Sequence, residues 1–393
     1  MPSRQPLLRK SHITTERPPF ERIALVLQGG GALGAYQGGV YQALAEANLH
    51  PDWVSGISIG AINSALIAGN PPEKRVERLR EFWETVCTSP TGIPYFRGLK
   101  FEDEFAHTIL NQLRSFAILL FGAPGFFKLR QPPPYLYPSM SPVAMSYYDV
   151  TPLKPTLERM VDFDLINAGA TRFSVGTVNI RSGNFVYFDN ATHQIGPHHV
   201  IASGSLPPGF PATEIEGEFY WDGGLVSNTP LQWVLESSPR QDTLVFQLDL
   251  WSARGELPRN LIEVELRQKE IRFSSRTRAA IDHFKKLQMA RRTAAKLLKK
   301  LPKDLLQTPE AEMLAEYADE KVYNLIQLIY RAKNYEGCSK DYEFSRRTME
   351  EHWTAGYNDA VRTLRHPEVL QRPDEVDGVF TFDLANQDRR AAA

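Results

Sequence analysis

Apolar and polar positions follow different periods in different parts of the chain. Ile23–Leu27 (IALVL) is apolar without alternation, the pattern of a strand covered on both faces in a parallel sheet. Ala35–Ala47 carries Val40, Leu44 and Ala47 at helical spacing and predicts a helix. Trp53–Gly56 predicts a short second strand. Ala61–Ala68, small and apolar, predicts a helix that packs closely on the sheet, and Pro71-Pro72 closes the unit. In Lys74–Val86 the apolar positions Val76, Leu79, Phe82, Trp83 and Val86 define an amphipathic surface helix. Phe101–Phe127 predicts further helix, and the proline- and tyrosine-rich Gln131–Pro152 a loop. Phe173–Asn179 and Gly183–Phe188 read as strands around a turn, and Val200–Ser203 leads into the rigid loop Pro207–Pro211. Glu218–Trp221 is a short strand stopped by Asp222-Gly223-Gly224, and Leu244–Leu250 reads as the last buried strand. Beyond it the pattern is helical over Leu261–Leu301, Glu310–Arg331 and Tyr342–Arg365. The expected organisation is a flexible tail (1–20), an α/β domain (21–255) and an α-helical C-terminal extension (256–393), with no internal repeat.

Composition changes this picture little. The 393 residues are 42% hydrophobic and 23% charged, a globular balance that allows a large core. The net charge of −1 gives no global reason to expect nucleic acid. The local surplus is more informative: between Arg259 and Lys303, Lys and Arg far outnumber Asp and Glu. Cys87 and Cys338 show neither metal nor redox spacing, and are expected as separate thiols. The N-terminal stretch has no apolar core of a secretory signal, and no apolar run reaches the ~20 residues of a spanning helix. The expected location is the cytoplasm, with peripheral attachment to the inner face of a membrane as an extension of that reading.

Two turns in Ile23–Asn70 carry candidate chemistry. The first, Gly29-Gly30-Gly31-Ala32-Leu33-Gly34, joins a strand to a helix. Its exposed N–H groups and the helix dipole favour negative charge, which suits an oxyanion hole built from Gly29, Gly30 and Gly31. The spacing Gly29/Gly31/Gly34 also fits a dinucleotide turn, which would want an acidic residue about 20 positions on. Asp52 lies near that distance but precedes the second strand instead of ending it. The second turn, Gly56-Ile57-Ser58-Ile59-Gly60, is a Gly-x-Ser-x-Gly nucleophile elbow between strand and helix. Small residues at Gly56, Gly60 and Ala61 allow the tight turn that lifts Ser58 outward.

A serine hydroxyl needs a base. Among the histidines, His198-His199 is the best placed, yet adjacent histidines in a loop are common. Asp222 is the stronger candidate: it ends a strand, and Gly223 and Gly224 let backbone and substrate approach. A carboxylate ordinarily near 3.9 can serve as base when held in hydrogen-bond reach and desolvated.

Together these blocks resemble the patatin-like phospholipase family. The resemblance rests on the glycine turn, the elbow at Ser58, the Asp222-Gly223-Gly224 motif, and Ala202-Ser203 with Pro208, Phe210 and Pro211, over roughly residues 21–255. It implies a three-layer α/β/α sandwich with a mainly parallel sheet. It also implies a dyad of Ser58 as nucleophile and Asp222 as general base and acid, with no metal or cofactor, acting on lipid esters. Leu33 departs from the family, many members of which carry Arg or Lys there. Phe116–Phe127 with Pro132–Tyr137 is a candidate lid or interfacial patch, and the basic helices of 259–303 a candidate contact with anionic lipid. The competing readings are a nucleotide-binding oxidoreductase and a scaffold acting through the basic half. The sequence leaves the oligomeric state, head group and acyl chain open.

Overall fold

The apolar run at Ile23 forms β1 (Arg22–Leu27), all of it buried. Ile23, Leu25 and Leu27 enter one hydrophobic cluster, and Ala24 and Val26 the other. Both faces are covered, so no alternation is visible in the sequence. The computed structural model describes residues 8–14, 16–88, 115–138, 142–274, 277–331, 339–373 and 378–383. Residues 101–114 of the expected helix Phe101–Phe127, Cys338 and the last ten residues lie outside them.

Strand β1 sits inside a nine-stranded sheet. The other strands are β2 (Trp53–Gly56), β3 (Lys128–Leu129), β4 (Tyr148–Asp149), β5 (Arg172–Asn179), β6 (Phe185–Asp189), β7 (Thr213–Ile215), β8 (Glu218–Asp222), β9 (Thr243–Asp249), β10 (Tyr323–Ile329) and β11 (Val379–Phe382). The order is β11-β10-β9-β1-β2-β5-β8-β7, with β6 also on β5, while β3 and β4 form a separate hairpin. From β11 to β5 all neighbours are parallel; β6, β7 and β8 pair antiparallel.

The helices are α1 (Ala35–Glu46), α2 (Ile59–Ala68), α3 (Pro72–Val86), α4 (Leu153–Met160), α5 (Phe163–Asn167), α6 (Pro197–Ser203), α7 (Leu231–Glu236), α8 (Leu261–Phe273), α9 (Thr277–Leu298), α10 (Pro309–Tyr317) and α11 (Arg346–Leu364). Helices α1, α2, α3 and α11 bury apolar side chains with one sheet face, α7 and α9 with the other. The three-layer α/β/α architecture with a mainly parallel sheet is present, and so are the C-terminal helices.

Two strands lie among those helices, which corrects the expectation that strands end at Leu250. The expected helix over Glu310–Arg331 is α10 followed by β10. In β10, Tyr323 and Leu325 face one cluster while Ile326 and Leu328 face the other. Burial on both faces produces a continuous apolar run, which periodicity alone does not separate from a buried helix. The C-terminal region therefore extends the same sheet.

It also packs tightly on the N-terminal unit. Gly38 and Gly39 of α1 lie against Trp353 of α11, and Gly356 of α11 against the Tyr36 carbonyl. A Cβ at Gly39 would overlap the Trp353 carbonyl oxygen. Gly39→Val is accordingly expected to destabilise the fold by roughly 2–4 kcal/mol, overpacking against backbone that cannot yield, read as a lower denaturation midpoint. Of the expected tail, residues 8–14 and 16–20 run beside these helices. Arg9 N–H donates to Arg365 O (2.8 Å), Thr14 Oγ1 donates to Ala47 O (2.6 Å), and Phe20 is buried.

Candidate active site

Strand β5 brings the two halves of the site together. On one edge it pairs with β2 as far as Gly56 opposite Val175. The other edge is filled by β6 over Ser174–Val178. Strand β8 therefore takes up the first edge where β2 leaves it, running in the opposite direction, with Asp222 opposite Thr177. The two strands meet end to end about two residues, or roughly 6.6 Å, apart along β5. Ser58 follows the end of one and Asp222 ends the other.

Ser58 sits at φ 56° and ψ −123°, directly before α2. This is an unfavourable conformation for a residue with a Cβ, and the surrounding contacts hold it. Its N–H donates to Ser203 Oγ (3.0 Å) and Ser203 O (3.1 Å), and Ser203 Oγ donates to Gly176 O (2.7 Å). Gly56 passes so close to the Gly60 carbonyl, and Gly60 to that of Leu27, that neither position has space for a side chain. The half-buried Ser58 hydroxyl lies close enough to the Asp222 carboxylate to favour its charged form.

Asp222 is 1% exposed. Burial pushes its carboxyl from an ordinary 3.8 up to about 7, against the opposing effects of the nearby Ser58 hydroxyl and the hydrogen bond from the Gly224 amide (2.7 Å). Gly223 lies against the Gly176 carbonyl, where a Cβ would come within 2.6 Å. His198 and His199 stand elsewhere. His199 Nδ1 accepts from Gly196 N–H (3.0 Å), its ring packs on Phe188, and burial pushes it down to about 4.

The glycine turn lies beside Ser58: a Cβ at Gly29 would be 2.9 Å from the Ser58 Cβ. Its amides are not equivalent. Gly29 N–H donates to Asn228 O (3.3 Å), and Ala32 N–H to Asp341 O (2.8 Å). The amides of Gly30 and Gly31 have no hydrogen-bond partner among the described residues, and neither does that of Ile59 at the start of α2. Three donors on the glycine turn and at the start of α2 thus remain. Gly29, expected as a donor, uses its amide within the fold.

Gly34 packs against Ile59 and Trp83, and Leu33 is fully buried. Asp52 accepts from Ile23 N–H (2.7 Å) and pairs with Arg17, so it holds β1 and not a ribose. The Ala32 amide, which a pyrophosphate would use, is already given to Asp341. Three residues around the site carry no motif and were not expected: Asn228, Trp251 and Asp341; Ser203, which holds the Ser58 amide, belongs to the Ala202-Ser203 segment of the resemblance. Asn228 lies six positions after Asp222; the others reach the site only through the fold.

The basic stretch is less uniform than its composition. Arg291 and Arg292 are buried, and Arg292 Nη1 donates to Glu320 O (2.6 Å), whereas Lys286, Lys296 and Lys300 are exposed. Phe116–Phe127 is divided as well. Phe126 and Phe127 are buried with Phe210 and Phe344, while Phe116 (60%) and Phe121 (50%) are exposed. Among the described residues no helix is long and apolar enough to cross a membrane.

The chain is similar to several known proteins. Over 67 residues the chain is 43% identical to the human patatin-like phospholipase domain-containing protein 6, covering 17% of this chain and 5% of that protein. Over 46 residues it is 54% identical to lysophospholipase nte1 of Aspergillus terreus, covering 12% of this chain and 3% of that one. The chain thus matches only a small part of these relatives' lengths. Among solved structures, VipD from Legionella pneumophila aligns with 98% of this chain and 76% of its own, at 15% identity and a TM-score of 0.40. A family model described as Patatin phospholipase matches residues 271–376. The model of the Patatin-like phospholipase family matches residues 25–234, more than half of the chain, and the chain belongs to that family.

Proposed function

We propose that the protein is a serine acyl hydrolase that cleaves carboxylic esters of lipids, with Ser58 as nucleophile and Asp222 as general base. The observation that carries the reading is the end-to-end meeting of β2 and β8 on β5, which brings Ser58 beside a buried carboxylate raised to about 7. A base poised there is ionised enough at neutral pH to accept a proton, and strong enough to make the transfer worthwhile.

In the forward step Ser58 Oγ attacks the ester carbonyl carbon while its proton passes to Asp222. The carbonyl oxygen becomes an oxyanion, which the free amides of Gly30, Gly31 and Ile59 stabilise. Collapse breaks the ester C–O bond, and Asp222 returns the proton to the leaving alcohol. Water then attacks the acyl carbon while passing a proton to Asp222, the bond from that carbon to Ser58 Oγ breaks, and Asp222 returns the proton to Oγ as the acid leaves. All proton traffic runs between Ser58, Asp222, substrate and water, so the sequence of steps calls on no cofactor.

Access from a lipid surface completes the proposal. Exposed Phe116, Leu120, Phe121, Tyr135 and Leu136 supply apolar contact on the segment that packs through Phe126 and Phe127 against Phe210, in the loop before β7. Exposed Lys286, Lys296 and Lys300 supply attraction to anionic lipid, about 1 kcal/mol each close to the surface. Both features support peripheral attachment to the inner face of a membrane as part of this reading. The test of the chemistry is a fluorophosphonate probe. Wild type is expected to gain one adduct, mapped by mass spectrometry to the peptide holding Ser58, and Ser58→Ala none. Labelling that survives in Ser58→Ala overturns the assignment.

A further inference from the structure

The carbonyl oxygen of Gly29 accepts two side-chain hydrogen bonds, from Asn228 Nδ2 (3.0 Å) and from Trp251 Nε1 (3.0 Å). In a trans peptide the C=O and the next N–H point in opposite directions. Holding the Gly29 oxygen on one side therefore turns the Gly30 amide to the other, and that amide is one of the free donors of the turn whose Gly29 lies against Ser58. A peptide between two glycines is the easiest of all to flip, because neither residue restricts its dihedrals. Without a clamp the donor would spend much of its time turned away.

We infer that Trp251 and Asn228 are positioning residues that fix the oxyanion hole, and that the chain beyond residue 250 is thereby part of the catalytic machinery. This rests on the hydrolase reading of Ser58.

The rest of the turn fits the same role. Gly30 lacks a side chain where the clamp comes in: a Cβ would lie 2.8 Å from Leu250 Cδ1 and 3.1 Å from Trp251 Nε1. Both clamps are held from behind. Buried Gln28, at the end of β1, accepts the amides of Leu250 (2.6 Å) and Trp251 (2.9 Å) on its Oε1, and donates Nε2 to Thr229 Oγ1 (2.9 Å). Asn228 Nδ2 also donates to Phe273 O at the end of α8 (2.8 Å). The Trp251 indole packs on Phe273, with Lys340 Nζ 5.1 Å from its ring. On the opposite flank the Asp341 carbonyl accepts the Ala32 amide and fills the place where a Gly31 side chain would be. Asn228 comes from the first family-matched segment, Phe273 and Asp341 from the second, and Trp251 from the chain between them.

The test uses full-length protein and a soluble short-chain p-nitrophenyl ester. Trp251→Phe removes the indole N–H and keeps an aromatic ring; Asn228→Ala removes the second donor independently. Each is expected to lower kcat by about 10-fold or more with KM within about 2-fold, since the oxyanion forms only in the transition state. Inhibition by a trifluoromethyl ketone, which places an oxyanion in the same hole, should weaken by a similar factor. The double variant should lose less than the product of the two, because both donors act on one oxygen. Unchanged kcat in both single variants, or a rise in KM alone, overturns the inference while a silent Ser58→Ala keeps the hydrolase reading. Ester hydrolysis that persists in Ser58→Ala removes that reading, and this inference with it.

Discussion

Ser58→Ala is expected to lower kcat/KM for ester hydrolysis by about 10⁴-fold or more, measured with a soluble ester so that lipid binding does not limit the rate. The hydroxyl is the only atom at the elbow able to form the acyl-enzyme, and the donors around it have nothing to stabilise without the attack. The loss should fall on kcat, with KM changing little. The variant also removes a nearby hydroxyl that favours the charged form of Asp222, so the carboxyl should rise above about 7. Retention of more than about one per cent of activity would mean that another nucleophile acts.

Asp222→Asn carries the second large effect, expected at 10²–10⁴-fold, the usual contribution of general base catalysis. It also predicts the shape of the pH profile. The base works only when ionised, so wild-type kcat/KM should climb with pH up to about 7 and flatten above it. In Asp222→Asn that limb should vanish, and in His198→Ala it should stay where it was. A limb centred near 4, or one that survives in Asp222→Asn, would exclude Asp222 as the base.

The same raised carboxyl affects stability. Its folded-state value lies above the ordinary 3.8, so its contribution is fully present below that pH and is lost as pH rises through about 7. Over the full range this is of order 4 kcal/mol. Asp222→Asn should therefore melt higher than wild type at pH 9 and alike at pH 3.5, a gain in stability that accompanies the loss of activity.

Much of the site is legible in the sequence because its chemistry is carried by short turns. Gly29–Gly34, Gly56–Gly60 and Asp222–Gly224 each need small residues at fixed spacing, and that need is visible without a structure. Strands β1 and β9 are legible for a similar reason, being short apolar runs bounded by turn residues. The failures are of another kind. In β10 the residues Tyr323–Ile329 are buried on both sides, which erases the alternation that distinguishes a strand. In β11 only four residues pair at the edge, too few to set a period. The unequal use of the glycine amides is invisible for a third reason: the partners of Gly29 and Ala32 lie at Asn228 and Asp341, and nothing local in either segment announces the other.

The end-to-end meeting of β2 and β8 on one edge of β5 has a consequence for how the chain can change in length. Nucleophile and base lie about 160 residues apart in sequence. Yet their separation in space is set by the few peptide units between Val175 and Thr177. Insertions after α2, or in the loop between β6 and α6, leave that spacing untouched. A single-residue deletion inside β5 would shorten the spacing by about 3.3 Å and turn the following side chains to the opposite face. Growth is free in the long connections and forbidden across three residues of one strand.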